Sequence, residues 1–158
     1  MDEMISVQTQ DFDMAAEYQA LLANTDGTSN SSDGAVVTFV GLVRDYNQGN
    51  HVEGLTLEHY PGMTEKALED IVVAAQSKWP LGKVRVIHRI GKLALSDQIV
   101  FVGVTSKHRE AAFEATQFIM DFLKNKAPFW KKEVTNIGER WVEAEDKDVK
   151  AQQRWDKA

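Results

Sequence analysis

Apolar and polar positions along this chain repeat with two periods, and the changes between them mark out the elements. Residues 5–10 (ISVQTQ) alternate one by one and predict a short strand. Asp13 stands as an N-cap before a helix over Met14 to Leu22, with Glu17 near its first turn. The polar stretch 24–34 (NTDGTSNSSDG) predicts a loop. Ala35 to Val43 (AVVTFVGLV) is β-branched and aromatic and predicts a buried strand, with Gly41 marking a bulge or a close backbone approach. After the loop Asp45–His51, alternation returns from Val52 to Tyr60, and the two strands together predict an antiparallel hairpin with a long tip.

Pro61-Gly62 turns the chain. Thr64 is placed to cap a helix reaching Lys78, with Ala67, Leu68, Ile71, Ala74 and Ala75 as its stripe. Trp79-Pro80-Leu81-Gly82 ends it. Lys83 to Ile90 predicts a strand with Val84, Val86 and His88 facing one way, and Gly91 to Asp97 reads as a connection. Gln98 to Thr105 (QIVFVGVT) is the most apolar strand and is expected at the centre of the sheet. A helix from about Lys107 to Lys126 follows, burying Ala111, Ala115, Phe118, Ile119 and Phe122. Lys131 to Thr135 and Arg140 to Ala144 are short strands around a turn at Asn136-Ile137-Gly138. The order β-α-β-β-α-β-β-α-β-β predicts a single α+β domain: an antiparallel or mixed sheet with helices packed on one side. Residues 1–33 are read as an N-terminal strand, helix and loop and 145–158 as a charged tail, with 34–144 between them.

Composition narrows the function. The 158 residues carry a formal net charge of −6, which disfavours a general nucleic-acid binder. There is no cysteine, so disulfides, thiolate nucleophiles, persulfide carriers and Cys-ligated metals are excluded. The four histidines (His51, His59, His88, His108) lack metal-ligand spacing, and no metal site is expected. No apolar run is long enough to span a bilayer, and the acidic N-terminus lacks a signal-peptide pattern, so a cytoplasmic location is expected.

Against that acidic background, one local cationic cluster stands out. Lys124, Lys126, Lys131 and Lys132 fall within nine residues that contain no acid. Ala127 precedes Pro128 and is thereby pushed out of the helical region, so the chain must turn between the two lysine pairs. Crowded ammonium groups next to Phe129 and Trp130 are expected to lower the pKa of one lysine, fitting it for general acid or base work. Taken alone, Lys124 is better explained as a cation in a solvated last helical turn. At the other end of the helix, His108-Arg109 follows an apolar strand, where free backbone N–H groups and added donors make an anion site. Arg44 ends another core strand and is a candidate for the same pocket; Arg140, beside Trp141, is an outside candidate. A helix of about 19 residues separates its ends by roughly 28 Å. One small ligand cannot touch both. Either the two sites are distinct, or a second copy of the chain supplies the His-Arg end.

The runs GAVVTFVGLVR (34–44), LTLEHYPGMTEKAL (55–68), WPLGKVRVIHRIG (79–91), VFVGVTSKHREAAFEA (100–115) and FIMDFLKNKAPFWKKE (118–133) resemble the catalytic (large) subunit family of molybdopterin synthase. That resemblance implies an α/β-hammerhead-like fold and a sulfurtransferase that converts cyclic pyranopterin monophosphate to molybdopterin. Two sulfurs enter as a dithiolene, each brought as a thiocarboxylate on the C-terminal Gly-Gly of a small ubiquitin-like subunit. It also implies a homodimer inside a heterotetramer, and no cofactor beyond the sulfur that the partner supplies. Carried over by residue, Lys124 and Lys131 match the catalytic pair. Leu42, Val43 and Arg44 match a substrate-contacting segment, His108 and Arg109 a phosphate-binding pair, and Lys132 and Glu133 the end of the segment after Trp130. Lys126 and Arg140 are further candidates. A non-catalytic module that captures the partner's tail, and a metal-free phosphate-ester hydrolase, are the competing readings.

Overall fold

The computed structural model describes residues 4–24, 26–28, 30–44, 52–135, 138–142, 153 and 155. Its elements run β1 (Ile5–Gln8), α1 (Met14–Leu22), β2 (Ala35–Leu42), β3 (Val52–His59), α2 (Met63–Lys78), β4 (Leu81–Arg89), β5 (Gly91–Ala94), β6 (Gln98–Ser106), α3 (Arg109–Lys126), β7 (Phe129–Thr135) and β8 (Gly138–Val142). The α+β class is as expected, but the strands divide into two four-stranded sheets, ordered β1-β4-β6-β2 and β5-β3-β7-β8. The first is mixed, since β1 joins β4 in parallel while β4, β6 and β2 pair antiparallel.

Two expectations change as a result. β2 and β3 are not a hairpin: β2 pairs β6 in the first sheet, and β3 pairs β5 and β7 in the second. The segment 45–51 that joins them lies outside the described residues. Gly91 to Ala94 is a strand, and four residues are too few to show alternation. The register shift at Gly41/Leu42 is the expected irregularity, and there a Cβ on Gly41 would come within 2.7 Å of the Val100 side chain.

The main core lies between the first sheet and two helices. Val84 and Val86 from β4, and Val100, Val102 and Val104 from β6, meet Leu68, Ile71, Val72 and Ala75 of α2 and Ala115, Phe118, Ile119 and Leu123 of α3. The intervening residues Ile87 and Phe101 face the other way and meet Phe12 and Leu21, so α1 covers the opposite face. The two long helices therefore share one side, and the short first helix closes the other. A third cluster of Val43, Leu57 and Leu93 joins the second sheet to the end of the first.

The caps follow from local chemistry. Asp13 accepts the Ala15 and Ala16 N–H groups, as expected of an N-cap. For α2 the cap is Gly62, at φ 85°, whose N–H is taken by Glu65; Thr64 lies inside the first turn, buried, and donates its hydroxyl to the Tyr60 carbonyl at 2.9 Å. No helix among the described residues is long and apolar enough to cross a membrane.

Candidate functional site

β6 runs toward Ser106, and α3 runs back along the sheet after a connection of only Lys107 and His108. Its 18 residues make it about 27 Å long. The molecule therefore has a front end, with His108 and Arg109, and a rear end, with Lys124. Sheet register assigns the other candidates. Ala35 pairs with Ser106 at the front, whereas Leu42 pairs with Gln98 at the rear. Arg44, two residues past Leu42, belongs to the rear end with Lys124. The expectation that Arg44 joins His108-Arg109 fails within one chain, because β2 is antiparallel to β6.

The rear end is assembled from four elements. Ala127 is extended (φ −74°, ψ 136°), as its position before proline requires, and α3 stops there. β7 then returns along β3, with Phe129 opposite His59, Lys131 opposite Leu57 and Lys132 opposite Thr56. Directly paired residues share a face, and neighbours alternate. Phe129 and Lys131 thus stand on the side of Leu57, which is 2% exposed, while Trp130 and Lys132 stand on the other. Trp130 lies against Tyr60, with ring centroids 4.6 Å apart, so only Phe129 of the two expected aromatics lies on the Lys131 face. On α3 two residues turn about 200°, which separates Lys126 from Lys124. The cluster of four lysines thereby resolves into Lys124 and Lys131 on one hand, and Lys126 and Lys132 directed elsewhere.

A buried histidine lies against the Phe129 face of β7. His88, from β4, is 6% exposed and stacks on Phe129 with centroids 3.9 Å apart and planes 18° apart. Its Nδ1 lies 2.8 Å from the Arg89 carbonyl oxygen. Burial lowers its pKa to about 4; the Arg89 contact opposes this, and the positive charges of Lys124 and Lys131, with His59, push the same way as burial. The imidazole is neutral at physiological pH. Sequence alternation correctly places His88 beside Val84 and Val86, but nothing in the sequence links it to lysines on α3 and β7.

Val43 closes the floor. It is 3% exposed, packs on Leu57 and Leu93, and is gripped through its backbone: its N–H reaches the Asp97 carbonyl at 2.9 Å, and its carbonyl accepts the Ser96 N–H at 2.7 Å. Leu42 and Arg44 on either side are exposed. The backbone of Glu133 pairs with Leu55 and Arg140 across the second sheet; the side chains of Glu133 and Arg140 lie outside the described residues.

The front end is plainer. His108 is the N-cap of α3 without a side-chain capping bond, and both His108 and Arg109 are exposed. What lies beneath them is firm. The Gly34 N–H reaches the Ser106 carbonyl at 3.0 Å, and Asp33 Oδ2 accepts from Thr105 Oγ1 at 2.7 Å and Asn30 Nδ2 at 2.6 Å.

A family model described as "MoaE protein" matches residues 7–126. The chain is 58% identical over 156 residues to a Vibrio cholerae protein named molybdopterin synthase catalytic subunit, covering 99% of this chain and 100% of the relative. The chain belongs to the MoaE family. Among solved structures it is similar to a molybdopterin biosynthesis MoaE protein from Burkholderia ambifaria, with TM-score 0.80 and 48% identity over 98% of this chain and 99% of that one. A Helicobacter pylori structure, described as a complex of subunits 1 and 2 of molybdopterin-converting factor, shares the fold at TM-score 0.72 and 18% identity over 89% and 91% of the two chains. The MoaE match takes in Lys124, His88, Arg44, His108 and Arg109, and ends before Lys131.

One feature of α3 escaped the sequence pattern altogether. Asp121 is 6% exposed and accepts from Gln117 Nε2 at 2.8 Å and from Trp155 Nε1 at 2.6 Å. Trp155 packs on Trp79 and Phe118, with centroids 5.7 and 5.5 Å away. A carboxylate one turn before Lys124 thus accepts from Gln117 and Trp155.

Proposed function

We propose that this chain is the catalytic subunit of molybdopterin synthase and works as a sulfurtransferase. It passes sulfur from the C-terminal thiocarboxylate of a small ubiquitin-like subunit to cyclic pyranopterin monophosphate. The observation that carries the reading is membership of the MoaE family, supported by the placement of Lys124 at the C-terminal end of α3 and of Lys131 on the Leu57 face of β7. Two ammonium groups over an apolar floor suit a reaction whose donor and acceptor are both anionic. One lysine supplies or removes a proton as oxygen is replaced by sulfur, and the other balances the developing negative charge. We assign the proton transfer to Lys124 and the charge balance to Lys131, with Leu42, Val43 and Arg44 along the rim. Each thiocarboxylate returns to a carboxylate once its sulfur has been delivered, so two are consumed per dithiolene.

The relatives' name speaks of a subunit, which supports the small sulfur-carrying partner. A homodimer fits the exposed edge of the first sheet: β2 is its last strand, and Phe39 and Leu42 on it are 39% and 57% exposed. The helix length supports a role for His108 and Arg109 at the substrate phosphate of the neighbouring protomer's site.

The test is reconstitution from purified parts: this chain, the thiocarboxylated partner and the pterin precursor, with nothing else added. Molybdopterin is the expected product. Binding of the partner without product would instead make the chain a capture module.

A further inference from the structure

Lys124 and Lys131 stand on different bodies of the fold. Lys124 belongs to α3, which packs on the first sheet through Ala115, Phe118, Ile119 and Leu123. Lys131 belongs to β7, which lies in the second sheet between β3 and β8. Between the two lysines the chain passes from one body to the other, through Ala127 and Pro128. Whatever holds that joint sets the spacing of the pair.

The joint is held on both sides. Ala127 is buried in the main core, and the Phe129 N–H reaches its carbonyl at 2.8 Å. Phe129 packs against the same core, and its ring stacks on His88 with centroids 3.9 Å apart and planes 18° apart. His88 is a firm seat, because β4 is an inner strand of the first sheet, between β1 and β6. A carbonyl oxygen only accepts, so His88 Nδ1 donates to the Arg89 carbonyl, 2.8 Å away. The Arg89 guanidinium in turn reaches the Gln98 carbonyl at 2.8 Å and the Thr9 carbonyl at 3.1 Å. Across the second sheet, Phe129 faces His59, whose ring lies 6.4 Å away and whose Nδ1 is 3.2 Å from Thr64 Oγ1. Phe129 therefore joins a strand of the second sheet to an inner strand of the first.

We propose that Phe129 is a positioning residue for the lysine pair: seated on His88, its ring fixes where β7 leaves the core and hence where Lys131 stands relative to Lys124. Phe129 and Lys131 share one face of β7, two residues or about 6.6 Å apart, so a shift at the ring passes along the strand to the lysine. A ring lying flat on a ring defines a plane, which a branched aliphatic side chain does not. The consequence for turnover is large, since a misplacement of about 1 Å can cost about 10²-fold in rate.

This inference rests on the sulfur-transfer reading, and the test separates the two. The chain has no cysteine, so Lys124→Cys combined with Lys131→Cys places one spin label on each body and none elsewhere. Labelled chain is diluted into unlabelled chain, so that the pair within one protomer is read. With Phe129 in place one dominant distance is expected; a spread of distances overturns the proposal without any change at Phe129. Phe129→Leu should broaden or displace the distribution, and Phe129→Tyr, which keeps the ring, should restore it. In the reconstituted complex with both lysines intact, Phe129→Leu is expected to lower kcat about tenfold or more with KM little changed, and Phe129→Tyr to stay within about twofold of wild type. A residue that only stabilises the fold would lower the melting temperature of Phe129→Leu and leave its label distance and its kcat unchanged below that temperature. That result overturns the proposal, as do equal losses of kcat in Phe129→Leu and Phe129→Tyr. If the wild-type chain makes no molybdopterin, the functional reading fails, and the label distances alone judge whether Phe129 sets the spacing. If it does and Phe129→Leu matches its kcat, only the role of Phe129 falls.

Discussion

At its C-terminal end α3 delivers Lys124 into a built environment: a neutral imidazole clamped by Phe129, a half-buried Lys131 beside Leu57, and Val43 held by two backbone hydrogen bonds. At its N-terminal end the same helix presents His108 and Arg109 to solvent, on a rigid base formed by Asp33, Thr105 and Ser106. Both ends are cationic, yet only one has an interior. The contrast teaches that charge alone does not mark a reaction centre. The rear spends burial on tuning and orientation, as proton transfer requires. The front offers donors on a firm mount, which is what gripping a phosphate requires, and about 27 Å of helix keeps the two tasks apart in one chain.

The largest expected effect lies at the rear. Lys124→Ala should cut product formation by about 10²–10⁴, the usual worth of a general acid or base, while thermal unfolding shifts little because Lys124 is exposed. Near-normal turnover in that variant would remove Lys124 from the chemistry. A sharper version compares neighbours. Lys131→Ala should cost about 10²-fold, whereas Lys132→Ala, on the opposite face of β7, should cost less than about tenfold. Equal losses would mean that the face of the strand does not decide the role.

A third prediction concerns stability. His88 is neutral in the fold with a pKa near 4, whereas an unfolded histidine titrates near 6.5. The unfolded chain therefore binds more protons between these values. Its contribution is full above pH 6.5 and is lost as pH falls toward 4, by about 3 kcal/mol in total. Denaturant titrations across that window should show the decline in the wild type and a flatter dependence in His88→Gln. The smallest effect is at the turn that grips Val43: Ser96 has φ 71°, a left-handed conformation, so Ser96→Gly should raise stability by up to about 1 kcal/mol with turnover unchanged.

Much of this was legible in the sequence. Alternation and helical period gave the three helices and all strands but β5, and Ala127-Pro128 gave the end of α3. The division into two sheets was not legible, because adjacent strands pair by default and nothing local tells β3 to leave β2 for β7. The buried stripe of α3 was drawn too narrow: Ala111 and Phe122 are half-buried, while Ala112, Thr116, Met120, Asp121 and Leu123 are also buried. That helix is covered by the sheet, by α2 and by Trp155, so burial spreads beyond one face. At the site the residue types were visible, but their sorting was not. Only strand register separates Lys131 from Lys132 and sends Arg44 to the rear.

The central claim is that the two ends of α3 serve different sites within a dimer, and a mixing experiment tests it most directly. Lys124→Ala and Arg109→Ala chains, each nearly inactive alone, are combined, allowed to exchange subunits, and supplied with thiocarboxylated partner and precursor. If Arg109 serves the neighbouring protomer, a mixed dimer pairs an intact Lys124 with an intact Arg109 in one of its two sites, and random exchange restores about a quarter of wild-type turnover. If both residues serve the same chain, every site in every dimer carries one defect. Turnover that stays at the level of the separate mutants would contradict the account.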